Sequence, residues 1–191
     1  MRDRRRAEGL IFLTLFIACI PAANWLIGNA GTVCLPQGPC LIPVFPSFAG
    51  LPQLMAPSGV VMIGLALVLR DLVQRRLGIT WTAGAILAGA GLSAFIAPPA
   101  LVLASATAFL LSEFADLAIY TPLQKRRLVL AVLASSVAGL FVDSCVFLYL
   151  AFGNLDFLAG QVAGKAWMVI LALPFIAWLR HRDDRLGLSP A

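Results

Sequence analysis

Charge is scarce in this chain and histidine almost missing. Of 191 residues only 12% are Asp, Glu, Lys or Arg, and His181 is the single histidine. Soluble domains carry about twice that share of charge. Hydrophobic residues make up 61%, and mean hydropathy is +0.94. The chain therefore reads as an integral membrane protein with little room for a soluble domain. At about 20 apolar residues per span, six helices nearly use it up.

The absences also exclude chemistry. No histidine lies in an apolar run and no Cys/His cluster exists, so neither an HExxH site nor a zinc site is expected. A GxSxG nucleophile elbow and a Walker A loop are missing too, and the chain cannot power itself with ATP. It reads as a non-enzyme without cofactor or metal. The net charge of +5 invites a nucleic-acid reading. The positions of the charges argue against it, because they cluster at the ends of apolar runs, as topology signals do.

The spans expected are residues 9–28, 57–69, 81–97, 100–120, 128–152 and 157–179, in one membrane domain covering 1–191. Of fourteen Lys and Arg, four lie in 2–6, three in 70–76, three in 125–127 and three in 180–185. The intervening loops hold none. By the positive-inside rule both termini face the cytoplasm; the bacterial inner membrane as the location is what the family resemblance given below implies. Pro21 is expected to kink the first span. Thr121-Pro122 is expected to end the fourth, and the tail after Leu179 to be short and frayed. The third span is rich in Gly and Ala, which suits close helix packing.

Residues 29–56 form a long loop with Cys34, Cys40 and several prolines. The segment 45–50 cannot be a regular helix and suits a partial lid or a re-entrant piece. If the loop faces an oxidising compartment, Cys34 and Cys40 suit a disulfide; two free thiols are the alternative. Near the end of the first span, Asn24 and Trp25 allow two readings. One is an interfacial anchor beside a helix-end amide, the other a ligand-cavity wall.

Only Lys165 among the cations falls inside an expected span. Glu113, Asp116 and Asp143 lie inside spans too, with Arg70 and Asp71 at the edge of one. Each costs roughly 2.5 kcal/mol or more in lipid on insertion scales, so these groups should face the bundle interior and partner one another. Lys165 with a carboxylate such as Asp143 is the obvious pair. Depth along the spans groups Asp143, Gln161 and Lys165 in one layer, and Glu113 and Asp116 in another nearer Arg70 and Asp71. Glu113, Asp116 and Tyr120 share one helix face, as do Ser136, Gly139 and Asp143. Such a set suits a solute or ion path better than an idle ion pair. An intramembrane aspartyl protease needs two acids facing each other from different helices. Glu113 and Asp116 stand on one helix.

Arg70-Asp71-Leu72, Glu113-x-x-Asp116 with Tyr120-Thr121, Gly139 to Asp143, and Lys165 together carry a resemblance. From Ala56 to Ala177 the chain resembles the queuosine-precursor transporter family, also called the vitamin-uptake-transporter-like family. The fold this implies is an all-α membrane protein of six transmembrane helices. It would be similar to the substrate-binding component of energy-coupling-factor transporters. The function implied is import of 7-cyano- or 7-aminomethyl-7-deazaguanine without its own ATPase, with proton coupling through a buried carboxylate as one option. The alternative is a substrate-binding subunit docked on an ATPase module. On this reading Glu113, Asp116 or Asp143 takes the N–H and amino edge of the base. Gln161 or Asn24 takes the carbonyl edge, and Trp25, Phe45, Phe48 or Trp81 stacks on the ring. Arg70, Asp71, Asp116 and Lys165 would serve ion pairing or coupling. Glu113 stands where relatives carry an amide, which leaves the precise base open. The partners implied are the deazapurine and the lipid bilayer; a homodimer is compatible, and nucleic acid is not expected.

Overall fold

The computed structural model describes residues 2–36, 38–46, 53–97 and 99–188. Within them six α-helices carry the fold: α1 Arg2–Asn29, α2 Val60–Leu77, α3 Ile79–Ile96, α4 Val102–Leu123, α5 Leu128–Phe152 and α6 Leu158–Leu186. Turn chemistry sets some of the breaks. Gly78, at φ 91°, is the single residue between α2 and α3, and Gly153, at φ 70°, ends α5. Both are backbone conformations that glycine adopts without a Cβ clash.

The fold is not purely helical. Between α1 and α2 the chain forms a three-stranded antiparallel sheet: β1 Val33–Cys34, β2 Cys40–Phe45 and β3 Leu54–Pro57, in that order. Cys34 pairs with Cys40 across β1 and β2, and the two are joined by a disulfide. Of the expected lid segment, 47–50 lies outside the described residues, so Phe48 does too. The sheet packs on α6 and α1. The indole N–H of Trp167 on α6 donates to the Val44 carbonyl at 3.1 Å. Gly160 lets the start of α6 come against the Met55 carbonyl of β3. One end of the bundle is thus covered by the sheet, and the other carries both termini and the basic clusters.

Five helices, α1 and α3 to α6, are long and apolar enough to cross a membrane. The exception, α2, carries Arg70, Asp71, Arg75 and Arg76. It does not stop near Leu69, as a hydropathy reading expects, but runs two turns further to Leu77. Its position explains how. α2 packs against all five other helices, and thirteen of its eighteen residues are buried, all four charged ones among them. Two other helices also outrun their expected ends. α4 continues through Thr121-Pro122 to Leu123, and α6 continues through the charged tail to Leu186. Partners on α2 hold these turns: Gln74 Nε2 donates to Thr121 Oγ1 of α4 at 3.0 Å, and Arg75 and Arg76 pair with Asp183 of α6. Two apolar clusters fill the interior on either side of α2. One joins Phe16 and Ile20 of α1 to Val73, Ile86 and Phe109. The other joins Val68 and Leu72 to Tyr120, Val132 and Ile176.

Candidate functional site

Two polar centres interrupt this apolar interior. The deeper one is built around Arg70, which is wholly buried in the middle of α2. Its three guanidinium nitrogens each meet a different carboxylate. Nε donates to Glu113 Oε2 at 3.1 Å, Nη1 lies 2.9 Å from Asp71 Oδ1, and Nη2 contacts Asp116 Oδ1. Only the Glu113 contact is also an aligned hydrogen bond. The other two are charge contacts, since Asp71 Oδ1 and both Asp116 oxygens have no hydrogen-bond partner. Ser135 of α5 donates to Asp71 Oδ2 at 3.1 Å. The Tyr120 ring lies 5.7 Å from the guanidinium carbon, in cation–π range. Helical spacing explains the convergence. Glu113, Asp116 and Tyr120 stand three and four residues apart on one face of α4, and that face is turned to α2.

The second centre lies toward the sheet end and involves α5 and α6. Lys165 is 1% exposed, and its Nζ donates three hydrogen bonds: to Asp143 Oδ2 at 2.5 Å, to Ser144 Oγ at 2.7 Å and to Gln161 Oε1 at 2.7 Å. All three ammonium donors are therefore used. Gly64 of α2 makes room for this lysine, because a Cβ there would stand 2.9 Å from the Lys165 Cα.

Lys165, Asp143 and Gln161 line a cavity of about 70 Å³. At about 10–15 Å³ per water it holds several waters or a small flat ring. Asn24 of α1, the start of α2, and Phe109 and Phe147 form other parts of the wall. A few polar groups at one side of an apolar cavity is the usual build of a small-molecule site. The two centres are neighbours along α4, since Phe109 on the cavity wall is one turn before Glu113.

The residues singled out from the sequence divide between these centres. Asn24, Asp143, Gln161 and Lys165 line the cavity, whereas Arg70, Asp71, Glu113 and Asp116 form the buried cluster below it. The remaining aromatic candidates stand elsewhere. Trp25 is 60% exposed, Trp81 is exposed, and Phe45 sits half-exposed on β2; none of the three lines the cavity. The aromatic rings that do line it are Phe109 and Phe147. Each had a signal in the spacing: Phe109 stands four residues before Glu113, and Phe147 four after Asp143. Among the described residues no group of His, Cys, Asp or Glu is arranged to hold a metal ion.

A third polar group was not foreseen. At the basic end Asp183 of α6 is gripped by two arginines of α2. Arg76 bonds both its oxygens at 2.9 and 2.8 Å, and Arg75 bonds Oδ2 at 2.9 Å. Glu8 of α1 joins at 3.0 Å from Arg76 and accepts from Arg182 at 2.6 Å. Bidentate arginine–carboxylate contacts are the strong kind. Read as loop charges, these residues signalled topology alone; in the fold they tie α1, α2 and α6 together.

Comparison with known families gives a match to the family described as putative vitamin uptake transporter, over residues 59–179. That stretch takes in both polar centres and more than half of the chain. No curated protein and no solved structure matches the chain.

Proposed function

The chain belongs to the vitamin uptake transporter family, a family of membrane transporters, and from that premise we propose that it imports a deazaguanine base, a precursor of queuosine. On this reading it works in the bacterial inner membrane with both termini in the cytoplasm, and needs no ATPase of its own. The observation that carries the proposal is the cavity of Asp143, Gln161 and Lys165 walled by Phe109 and Phe147.

The chemistry runs as follows. A flat, apolar, hydrogen-bonding ring gains dispersion and stacking energy from Phe109 and Phe147. Its N–H and amino edge suits the Asp143 carboxylate, and its carbonyl edge suits Lys165 Nζ or the amide of Asn24. Asp143 and Lys165 bind each other. A ligand with a donor edge and an acceptor edge can replace each partner for the other, so neither charge is stranded while the base is seated. The positive-inside pattern supports the orientation, which puts the cavity in the outer half and the Arg75–Arg76–Asp183 network at the cytoplasmic end. Proton coupling is part of the proposal, because the Arg70 cluster holds three carboxylates against one guanidinium.

A strain unable to make the deazaguanine base tests the reading. Expression of this chain alone should restore queuosine in tRNA at nanomolar-scale external base. No restoration with any deazaguanine would refute the substrate. Restoration only with an added ATPase module would replace the self-sufficient transporter by a substrate-binding subunit.

A further inference from the structure

The charge around Arg70 does not balance. Asp71, Glu113 and Asp116 all contact one guanidinium, and all four residues are at most 2% exposed. Among the described residues no other cation contacts these three carboxylates. Lys165 on α6 is engaged by Asp143 of α5, and Arg75, the next cation along α2, is engaged by Asp183 of α6. Fully ionised, the cluster would hold two uncompensated negative charges in an apolar interior. A buried charge without a partner is strongly unfavourable, and a carboxyl group escapes that cost by taking up a proton. A bound metal cation is a poor solution here, since the guanidinium already occupies the centre that the three carboxylates surround.

The hydrogen bonding says which carboxyls share the proton. Glu113 receives an aligned hydrogen bond from Arg70, and Asp71 receives one from Ser135. Asp116 receives none on either oxygen. Asp71 and Asp116 contact the two neighbouring terminal nitrogens of the same guanidinium, which brings their carboxyls side by side. Two carboxyls in that position favour one shared proton over two negative charges. Two further buried hydroxyls are without partners: Tyr120 Oη, one turn beyond Asp116 on α4, and Ser136 Oγ, next to Ser135 on α5.

We propose that Asp71 and Asp116 form a proton-binding pair that holds one proton between them. The coupling of that proton to solute rests on the transporter reading above, whereas the bound proton itself does not. In each transfer the O–H bond of one carboxyl breaks, its electron pair stays on that oxygen, and the proton joins a carboxylate oxygen of the other aspartate. The groups facing the pair are Arg70 on α2 and Glu113 and Tyr120 on α4. Asp143 and Lys165 lie beyond Glu113, and α1 places its charged residues only at the basic end.

Infrared spectroscopy of the reconstituted protein with carbon-13-labelled aspartate tests the pair without any transport. At neutral pH a protonated aspartyl carbonyl band is expected, shifted by the label. It should be lost in Asp116→Asn and in Asp71→Asn, both of which mimic the protonated form in shape and so preserve folding. Absence of the band from the unaltered protein, or its persistence in both variants, would overturn the site. Vesicle uptake of 7-cyano-7-deazaguanine then tests coupling. Accumulation should rise with an inward proton gradient and collapse with a protonophore; accumulation indifferent to the protonophore would overturn it. If the band is present but the unaltered protein takes up no base, the substrate reading fails and the proton pair stands.

Discussion

Removing the charge from one side of the Lys165–Asp143 pair separates a transport site from a mere strut. Lys165 Nζ stands 2.5 Å from Asp143 Oδ2. At an effective dielectric constant near 20 the attraction is about 7 kcal/mol, set against several kcal/mol of desolvation for each ion. The net value of the pair is therefore small, but stranding one member is not. Losing either partner of a buried pair costs about 3–5 kcal/mol, whereas replacing both by groups of similar volume is close to neutral. Asp143→Asn should fall at the low end of that range, since the amide oxygen still accepts from Nζ and Ser144 and Gln161 remain. Lys165→Met strands a carboxylate that water in the cavity can partly solvate. The double variant should regain at least half of the summed loss, giving a coupling energy of about 3 kcal/mol or more in a double-mutant cycle. Thermal unfolding in detergent reads the cycle, and uptake is measured on the same preparations. We expect stability to recover in the double variant and uptake to remain absent. Strictly additive losses would refute the pairing, and wild-type uptake by the double variant would refute its role in transport.

Asp116→Asn should insert normally yet abolish net accumulation of the base, measured as uptake per molecule of membrane-inserted protein; normal uptake would remove Asp116 from the transport path. Gly139→Ala places a Cβ 3.0 Å from Leu67 Cδ2 and 3.3 Å from Asp116 Oδ2, so it should lower stability by about 1–3 kcal/mol and displace the carboxylate, which thermal unfolding and the aspartyl infrared band would show. Phe147→Ala should weaken base binding by about 0.5–1.5 kcal/mol from lost stacking, and more where buried area is lost too, read by titration calorimetry, while Trp25→Ala should leave it within error. Reducing the Cys34–Cys40 disulfide, which closes a loop of about seven residues, should cost about 2 kcal/mol on chain-entropy grounds, seen as a lower thermal midpoint with reductant and none in Cys34→Ser/Cys40→Ser.

Much of the helical framework was legible because hydropathy and helix length act together in a membrane. The bounds of α5, Leu128–Phe152, follow directly from an apolar run closed by Gly153. Pairing was legible where cost forces it: a lysine inside a span must find a carboxylate, and depth along the helices left Asp143 as the near one. The sheet was harder. Its strands are two, six and four residues long, interrupted by prolines and glycines, and their pairing depends on a register that local sequence does not specify. The rings that line the cavity were hard to foresee for a related reason. Trp25 and Trp81 were favoured by their chemistry and do not line it, because whether a ring faces a cavity or the outside is settled by helix rotation, which a uniformly apolar helix does not encode.

The most instructive gap concerns α2. A span reading ends it where charge begins, at Arg70, on the premise that charge marks the edge of the membrane. That premise holds for a helix facing lipid. It fails for one enclosed by five others, because the relevant solvent is then protein, and a guanidinium surrounded by carboxylates from α2 and α4 is better satisfied than at an exposed helix end. The same burial commits the helix. With Arg70 and Asp71 in its middle and Arg75 and Arg76 bound to Asp183 at its end, α2 cannot slide toward lipid without exposing unpaired charge. Any change that carries solute across must therefore move other helices around α2. The helix least anchored to it by ion pairs is α3, which contributes no charged residue to any of the three polar centres.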